Sequence, residues 1–222
     1  MVEHERDAHA VLLPVAGELK VDPWLHDLLR RGTRSVLIGE TRAEYVARAM
    51  TPERRRAETG ADITAFVDAV RDEAGAPILC AVDQEPWGIA RLHGLVPAFP
   101  DRDTLHALPD DEIAEAAASV AAAARGLGVN AFLAPVLDVL SGVNPWLAGR
   151  TLPFGYEEVG RIGAAFVTGS RSAGVLAVAK HFPGHPELAL DPALHDTTLD
   201  WAPPVELMPS PASRSSRPAA PW

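Results

Sequence analysis

A single cysteine, Cys80, is present among 222 residues, and it lies in the apolar run "PILCAV". A lone thiol excludes an internal disulfide framework, and its surroundings predict a buried core position. Positive charge is also in short supply: 20 Lys and Arg stand against 30 Asp and Glu, a net charge of -10. That balance argues against nucleic acid or an anionic membrane surface as a partner and reads most simply as solubility. No apolar run approaches the ~20 residues of a membrane span. The opening "MVEHERDAHA" lacks the basic n-region and apolar h-region of a secretory signal. A soluble, cytoplasmic protein is the expectation. Neither "GxGxxG" nor "GxxxxGKS/T" follows a strand-like run, so nucleotide-binding fingerprints are missing as well.

What is present is an α/β pattern. Hydrophobic residues make up 47% of the chain, enough for one sizeable core. Four short runs read as strands: "SVLIG" (35–39), "PILCAVD" (77–83), "AFLAPVLDV" (131–139) and "GVLAVAK" (174–180). They are almost continuously apolar, as parallel strands covered on both faces must be. An earlier helical pattern lies at 22–32, and helical periods separate the runs at 62–75, 110–128 and 156–174, the first of which puts Ile63, Phe66, Val67 and Val70 on one face. Repeated strand–helix units predict a parallel sheet, and four of them make the first half of a TIM-like (β/α) barrel. Residues 1–209 are read as that partial barrel domain. Residues 210–222, "SPASRSSRPAAPW", are rich in Pro, Ser and Ala and are read as a disordered tail.

Polar residues gather where the strands end. Asp83, Asp138 and Lys180–His181 each close an apolar run, and in a (β/α) barrel the active site collects at those ends. Beyond the last run comes "AKHFPGHPELALDPALHD" (179–196), with three histidines, a lysine and three acids on a segment that its prolines and glycine keep from being one helix.

This stretch resembles the N-terminal barrel domain of glycoside hydrolase family 3, and most of all its β-N-acetylhexosaminidases, whose signature "KHFPGH" is reproduced by Lys180 to His185. Four further segments resemble that family in the same order: "VDQEPWGIARL" (82–92), "FLAPVLDV" (132–139), "NPWLAGRTLPFG" (144–155) and "VELMP" (205–209). The resemblance implies retaining hydrolysis of terminal β-linked N-acetylglucosamine, without a cofactor, on a carbohydrate substrate such as a cell-wall-derived N-acetylglucosaminide. It implies that Asp83, Arg91, Arg150, Lys180 and His181 bind sugar hydroxyls, through charge-assisted hydrogen bonds from well-held side chains. It also implies a loop histidine as general acid/base, His195, oriented by an aspartate, Asp191.

The sequence departs from the family at several points. The family's Asp-x-His becomes Asp191 and His195, four apart, and Asp196 adjoins the histidine as an alternative partner. Pro86-Trp87 replaces Gly-Gly, which opens the prospect of an indole stacked on a sugar face. Pro186 replaces the glycine after "GH". Asp83–Arg91 and Asp138–Arg150 can also be read as purely structural ion pairs. The spacing of His181, His185 and His195 could suit zinc, yet the first belongs to the sugar motif, and no metal is expected. No residue matches the family's nucleophile motif. Two other functions therefore stand beside N-acetylglucosaminide hydrolysis: a non-catalytic, truncated sugar-binding fragment, and a β-glucosidase of the same family.

Overall fold

The computed structural model describes residues 3–140, 142–182 and 184–197. The expected tail and the "VELMP" segment lie outside the described residues. Among them, thirteen elements are arranged as α1 (Glu3–Ala10), β1 (Val15–Ala16), α2 (Pro23–Arg31), β2 (Ser35–Ile38), α3 (Arg42–Ala47), α4 (Pro52–Ala57), α5 (Gly60–Ala74), β3 (Leu79–Val82), a 3₁₀ turn (Leu105–Ala107), α6 (Asp110–Gly126), β4 (Ala131–Phe132), α7 (Tyr156–Ser172) and β5 (Leu176–Ala177). The strands form one sheet in chain order, β1-β2-β3-β4-β5, and every pairing is parallel. This is the α/β, TIM-like partial barrel that the strand–helix repeat predicts.

Two differences from the sequence reading have local causes. The sheet gains β1, a two-residue strand whose pairing is completed by Leu37 N–H to Pro14 O (2.8 Å) and Gly39 N–H to Ala16 O (2.9 Å). Two residues are too few to give a period. The run 131–139 is regular only at Ala131–Phe132, because Pro135 has no N–H to offer a ladder. A parallel bridge between Val136 and Lys180 carries the contact further, with Leu137 N–H donating to Lys180 O at 2.6 Å. The Ala134–Pro135 and Lys180–His181 peptide bonds are both cis.

Helix ends are set by side chains. Thr59 and Asp62 form a capping box that starts α5, with the Thr59 N–H to Asp62 Oδ2 at 2.8 Å. Thr41 and Glu44 do the same for α3. Gly32 ends α2 at φ 118°, a left-handed conformation in which a Cβ would be strained. The predicted face of α5, Ile63, Phe66, Val67 and Val70, is buried against Val36, Cys80 and Val82 of the sheet and against Leu25 and Leu29 of α2. Cys80 is in the core, as read. Helices α6 and α7 pack closely because a Cβ on Gly169 would run into the Ala114 backbone. The outer strands keep apolar residues exposed, including Val15 (52%) on β1 and Leu176 (49%) on β5.

Candidate active site

The parallel register decides which side chains meet. β3 runs alongside β2 on one side and β4 on the other, so the residues just past their C-terminal ends are neighbours in space. Asp83 and Glu85 follow β3, and Lys180 follows β5. The Lys180 ammonium lies 2.6 Å from Asp83 Oδ1 and 2.7 Å from Glu85 Oε1, joining two strand ends through one cation. Glu85 then holds Arg150 in a two-pronged pair, with Nε to Oε2 at 2.9 Å and Nη2 to Oε1 at 2.7 Å. Gly88 makes this possible, since a Cβ there would overlap the Glu85 carboxylate. Burial opposes ionisation of Glu85, but the hydrogen bonds from Arg150 and the charges of Lys180 and Arg150 outweigh it and hold the carboxyl below its usual range.

An aromatic residue links this ionic chain to the histidines. The Arg150 guanidinium sits 4.7 Å over the Trp146 ring, and that ring lies 4.7 Å from His181 and 4.6 Å from His185. The His181 Nδ1 is 2.6 Å from Asp138 Oδ2, and Asp138 also accepts from the backbone N–H of His181 (3.2 Å) and of His185 (2.6 Å). Asp138 thus shapes the "KHFPGH" turn and orients its first histidine. Burial pushes the His185 imidazole below its usual value and favours its neutral form. A cavity of about 280 Å³ opens beside Asp138, Tyr156, Lys180, His181 and His185, at the small end of the range for small-molecule sites.

The remaining expected residues are placed differently. Arg91 is fully buried; its guanidinium grips Glu58, with Nη2 to Oε2 at 2.9 Å, and its Nε donates to Gly39 O at 2.7 Å. Its contacts are thus with the protein's own interior. Neither Asp83–Arg91 nor Asp138–Arg150 forms as an ion pair among the described residues: Glu58 and Glu85 take the two arginines, and Lys180 and His181 take the two aspartates. Trp87 points elsewhere as well, its indole N–H on Pro100 O at 3.2 Å and its ring edge-on to Phe99. Trp146, and not Trp87, is the indole beside the site.

The loop expected to carry the acid/base is tied down at several points. Asp191 is buried and takes a hydrogen bond from Arg48 Nη2 and another, at 2.8 Å, from Ala193 N–H. Burial disfavours its charge, but the Ala193 N–H and the Arg48 guanidinium overcome that and keep its carboxyl low. Arg42 holds the Ala193 carbonyl, and Asn144 donates to Pro186 O at 2.8 Å. His195 is exposed; its backbone N–H caps Asp191 O at 3.0 Å, and its side chain forms no ion pair with Asp191 or Asp196 among the described residues. His181, His185 and His195 do not assemble a set of metal ligands among the described residues, and no described helix is long and apolar enough to cross a membrane.

Sequence reasoning missed Glu85, the hub of the network, although it stands two residues past Asp83 in "VDQEP" at a strand end. It also missed Glu40, Arg48, Glu58 and Trp146. Glu58 and Arg48 carry no motif, and only the packing of α3 and α4 over the strand ends brings them in.

The described strand ends thus carry a cluster of paired acids and cations beside a tryptophan and two histidines, at the end of a (β/α) framework where barrels place their sites. Residues 42–207 match the Glycosyl hydrolase family 3 N terminal domain, and the chain belongs to that family. It is 33% identical over 144 residues to a beta-hexosaminidase of Alkalilimnicola ehrlichii, a match covering 62% of this chain and 41% of that protein. It is 38% identical over 118 residues to a beta-hexosaminidase of Methylococcus capsulatus, covering 51% and 35% respectively. A glycoside hydrolase family 3 beta-N-acetylglucosaminidase from a Paenibacillus species superposes with a TM-score of 0.71 at 24% identity, over 86% of this chain and 35% of that one. The chain therefore spans well under half the length of these relatives.

Proposed function

We propose that the chain carries one side of a site for terminal β-linked N-acetylglucosamine, which in a complete barrel is hydrolysed with retention of configuration. The observation that carries this reading is the Lys180 bridge to Asp83 and Glu85, made across β4 between the ends of β3 and β5 by the residues of two family motifs. Its support is the beta-hexosaminidase and beta-N-acetylglucosaminidase names of the relatives. In this reading Asp83, Lys180 and His181 contact the sugar. Arg150 presents its charge through Glu85 and Trp146, and Arg91 acts from behind by bracing Gly39 and Glu58. His195 is the acid/base. For Asp191 to orient it, the Arg48 contact must be exchanged for the imidazole, so loop movement is part of the reaction. The substrate class includes cell-wall-derived N-acetylglucosaminides, and the location is the cytoplasm.

A second reading, a sugar-binding unit without turnover, is favoured by the exposed Val15 and Leu176 at the two edges of the described sheet. The 222-residue chain is expected to bind N-acetylglucosamine in a Lys180-dependent way and to release no 4-nitrophenol from the N-acetyl-β-glucosaminide. Turnover lost in His195→Ala would establish hydrolysis by this chain alone. Binding unaffected by Lys180→Ala would overturn the site.

A further inference from the structure

Four acids of the site are each held by a basic side chain. Asp83 has Lys180, Glu85 has Arg150, Asp138 has His181, and Asp191 has Arg48. Glu40 is the exception. It follows β2 directly after Gly39, and continuing the β2–β3 register from Leu37↔Ala81 sets Gly39 and Glu40 beside Asp83 and Gln84. Its Oε2 is buried and has no hydrogen-bond partner. A buried carboxylate oxygen without a donor is costly, so its retention calls for a function, and a donor or acceptor supplied by a ligand is one that fits a group at the site.

We propose that Glu40 is a sugar-contacting residue of this site, its carboxyl hydrogen-bonding a hydroxyl or amide oxygen of an uncharged N-acetylhexosamine. The inference rests on the functional reading above and adds to it a contact outside the family motifs and a preference for neutral ligands. The groups that bear on Glu40 come from four directions. Asp83 after β3 and Glu44 on α3 repel its negative charge; Arg91 beyond β3 and Lys180 after β5 attract it. Both cations are already committed, Arg91 to Glu58 and Lys180 to Asp83 and Glu85. Burial, reinforced by Asp83, raises the Glu40 carboxyl to about 7. Near neutrality a large fraction is thus protonated and able to donate to an oxygen of an uncharged sugar. An anionic sugar would meet Asp83 and the ionised half of Glu40 together.

N-acetylglucosamine is titrated into the 222-residue chain at pH 6 and pH 8 and followed by NMR. With a group titrating near 7, the protonated fraction falls from about nine-tenths to about one-tenth; because the proposed bond is donated by the protonated carboxyl to a sugar oxygen, wild-type affinity should drop about tenfold. Glu40→Gln keeps size and a donor but cannot ionise; it should bind within about twofold of the wild type at pH 6 and equally at both pH values. Glu40→Leu should lose about tenfold at pH 6. His181, His185 and His195 remain in Glu40→Gln, so a flat profile there isolates Glu40 from them. If Glu40→Gln keeps the tenfold dependence, or Glu40→Leu binds like the wild type, while Lys180→Ala abolishes binding, the role of Glu40 is overturned and the site stands. If Lys180→Ala binds like the wild type, or the wild type does not bind, the site itself falls and Glu40's role with it.

Discussion

Glu85 holds two cations, and its two partners are not equally dependent on it. Arg150 is 5% exposed; among the described residues Glu85 is the one carboxylate in an ion pair with it, and its other polar partner is the Trp146 carbonyl (3.1 Å), with the Trp146 ring against the guanidinium. Glu85, by contrast, keeps Lys180 at 2.7 Å if Arg150 is removed. Glu85→Gln preserves side-chain size, so no cavity confuses the result, but it leaves a buried guanidinium uncompensated. Removing one partner of a buried pair in this way costs about 3–5 kcal/mol. Arg150→Met leaves a carboxylate that is still paired and should cost less, about 1–3 kcal/mol. Urea unfolding followed by far-ultraviolet circular dichroism measures both. An Arg150→Met penalty equal to or larger than that of Glu85→Gln, or both below about 1 kcal/mol, would refute the view that Glu85 is the hub and Arg150 its dependent.

Two further outcomes are expected. The Glu44 carboxyl is lowered to about 2: burial works against ionisation, but the N–H groups of Thr51 and Thr41, the Thr41 hydroxyl and the Arg54 charge prevail. Because its folded value lies below the unfolded 4.5, its contribution is complete above about pH 4.5 and is lost as pH falls through about 2. The melting-temperature gap between wild type and Glu44→Gln should accordingly be wide at pH 7 and close toward pH 2, and a gap independent of pH would contradict the assignment. Arg48→Ala removes the tie on Asp191, so hydrogen exchange at the Ala193 and His195 amides should quicken by at least tenfold while α5 stays protected; unchanged exchange would mean that Arg42 and Asn144 suffice to hold the loop.

The helices at 23–31, 60–74, 110–126 and 156–172 lie within about two residues of where periodicity and glycine stops set them, because amphipathic faces and caps are written in contiguous residues. The buried strands and the motif lysine were legible for the same reason. Asp83 and Lys180 could be assigned to one end of the sheet because parallel strands all point their C-termini the same way. What contiguous sequence does not carry is which cation meets which acid. Arg91 pairs with Glu58, Arg150 with Glu85, and Asp191 with Arg48, partners 33, 65 and 143 residues apart. Those choices depend on how α3 and α4 pack over the strand ends and on the room that Gly88 leaves. Glu40 shows the same limit from the other side. In sequence it is one acid after "SVLIG"; only the fold encloses its oxygen, withholds a partner and puts a second carboxylate beside it. Local chemistry determined which polar residues stand at the strand ends, and tertiary burial, which sets the cost of every unpaired charge, decided which of them are paired within the protein and which keep an unpaired atom.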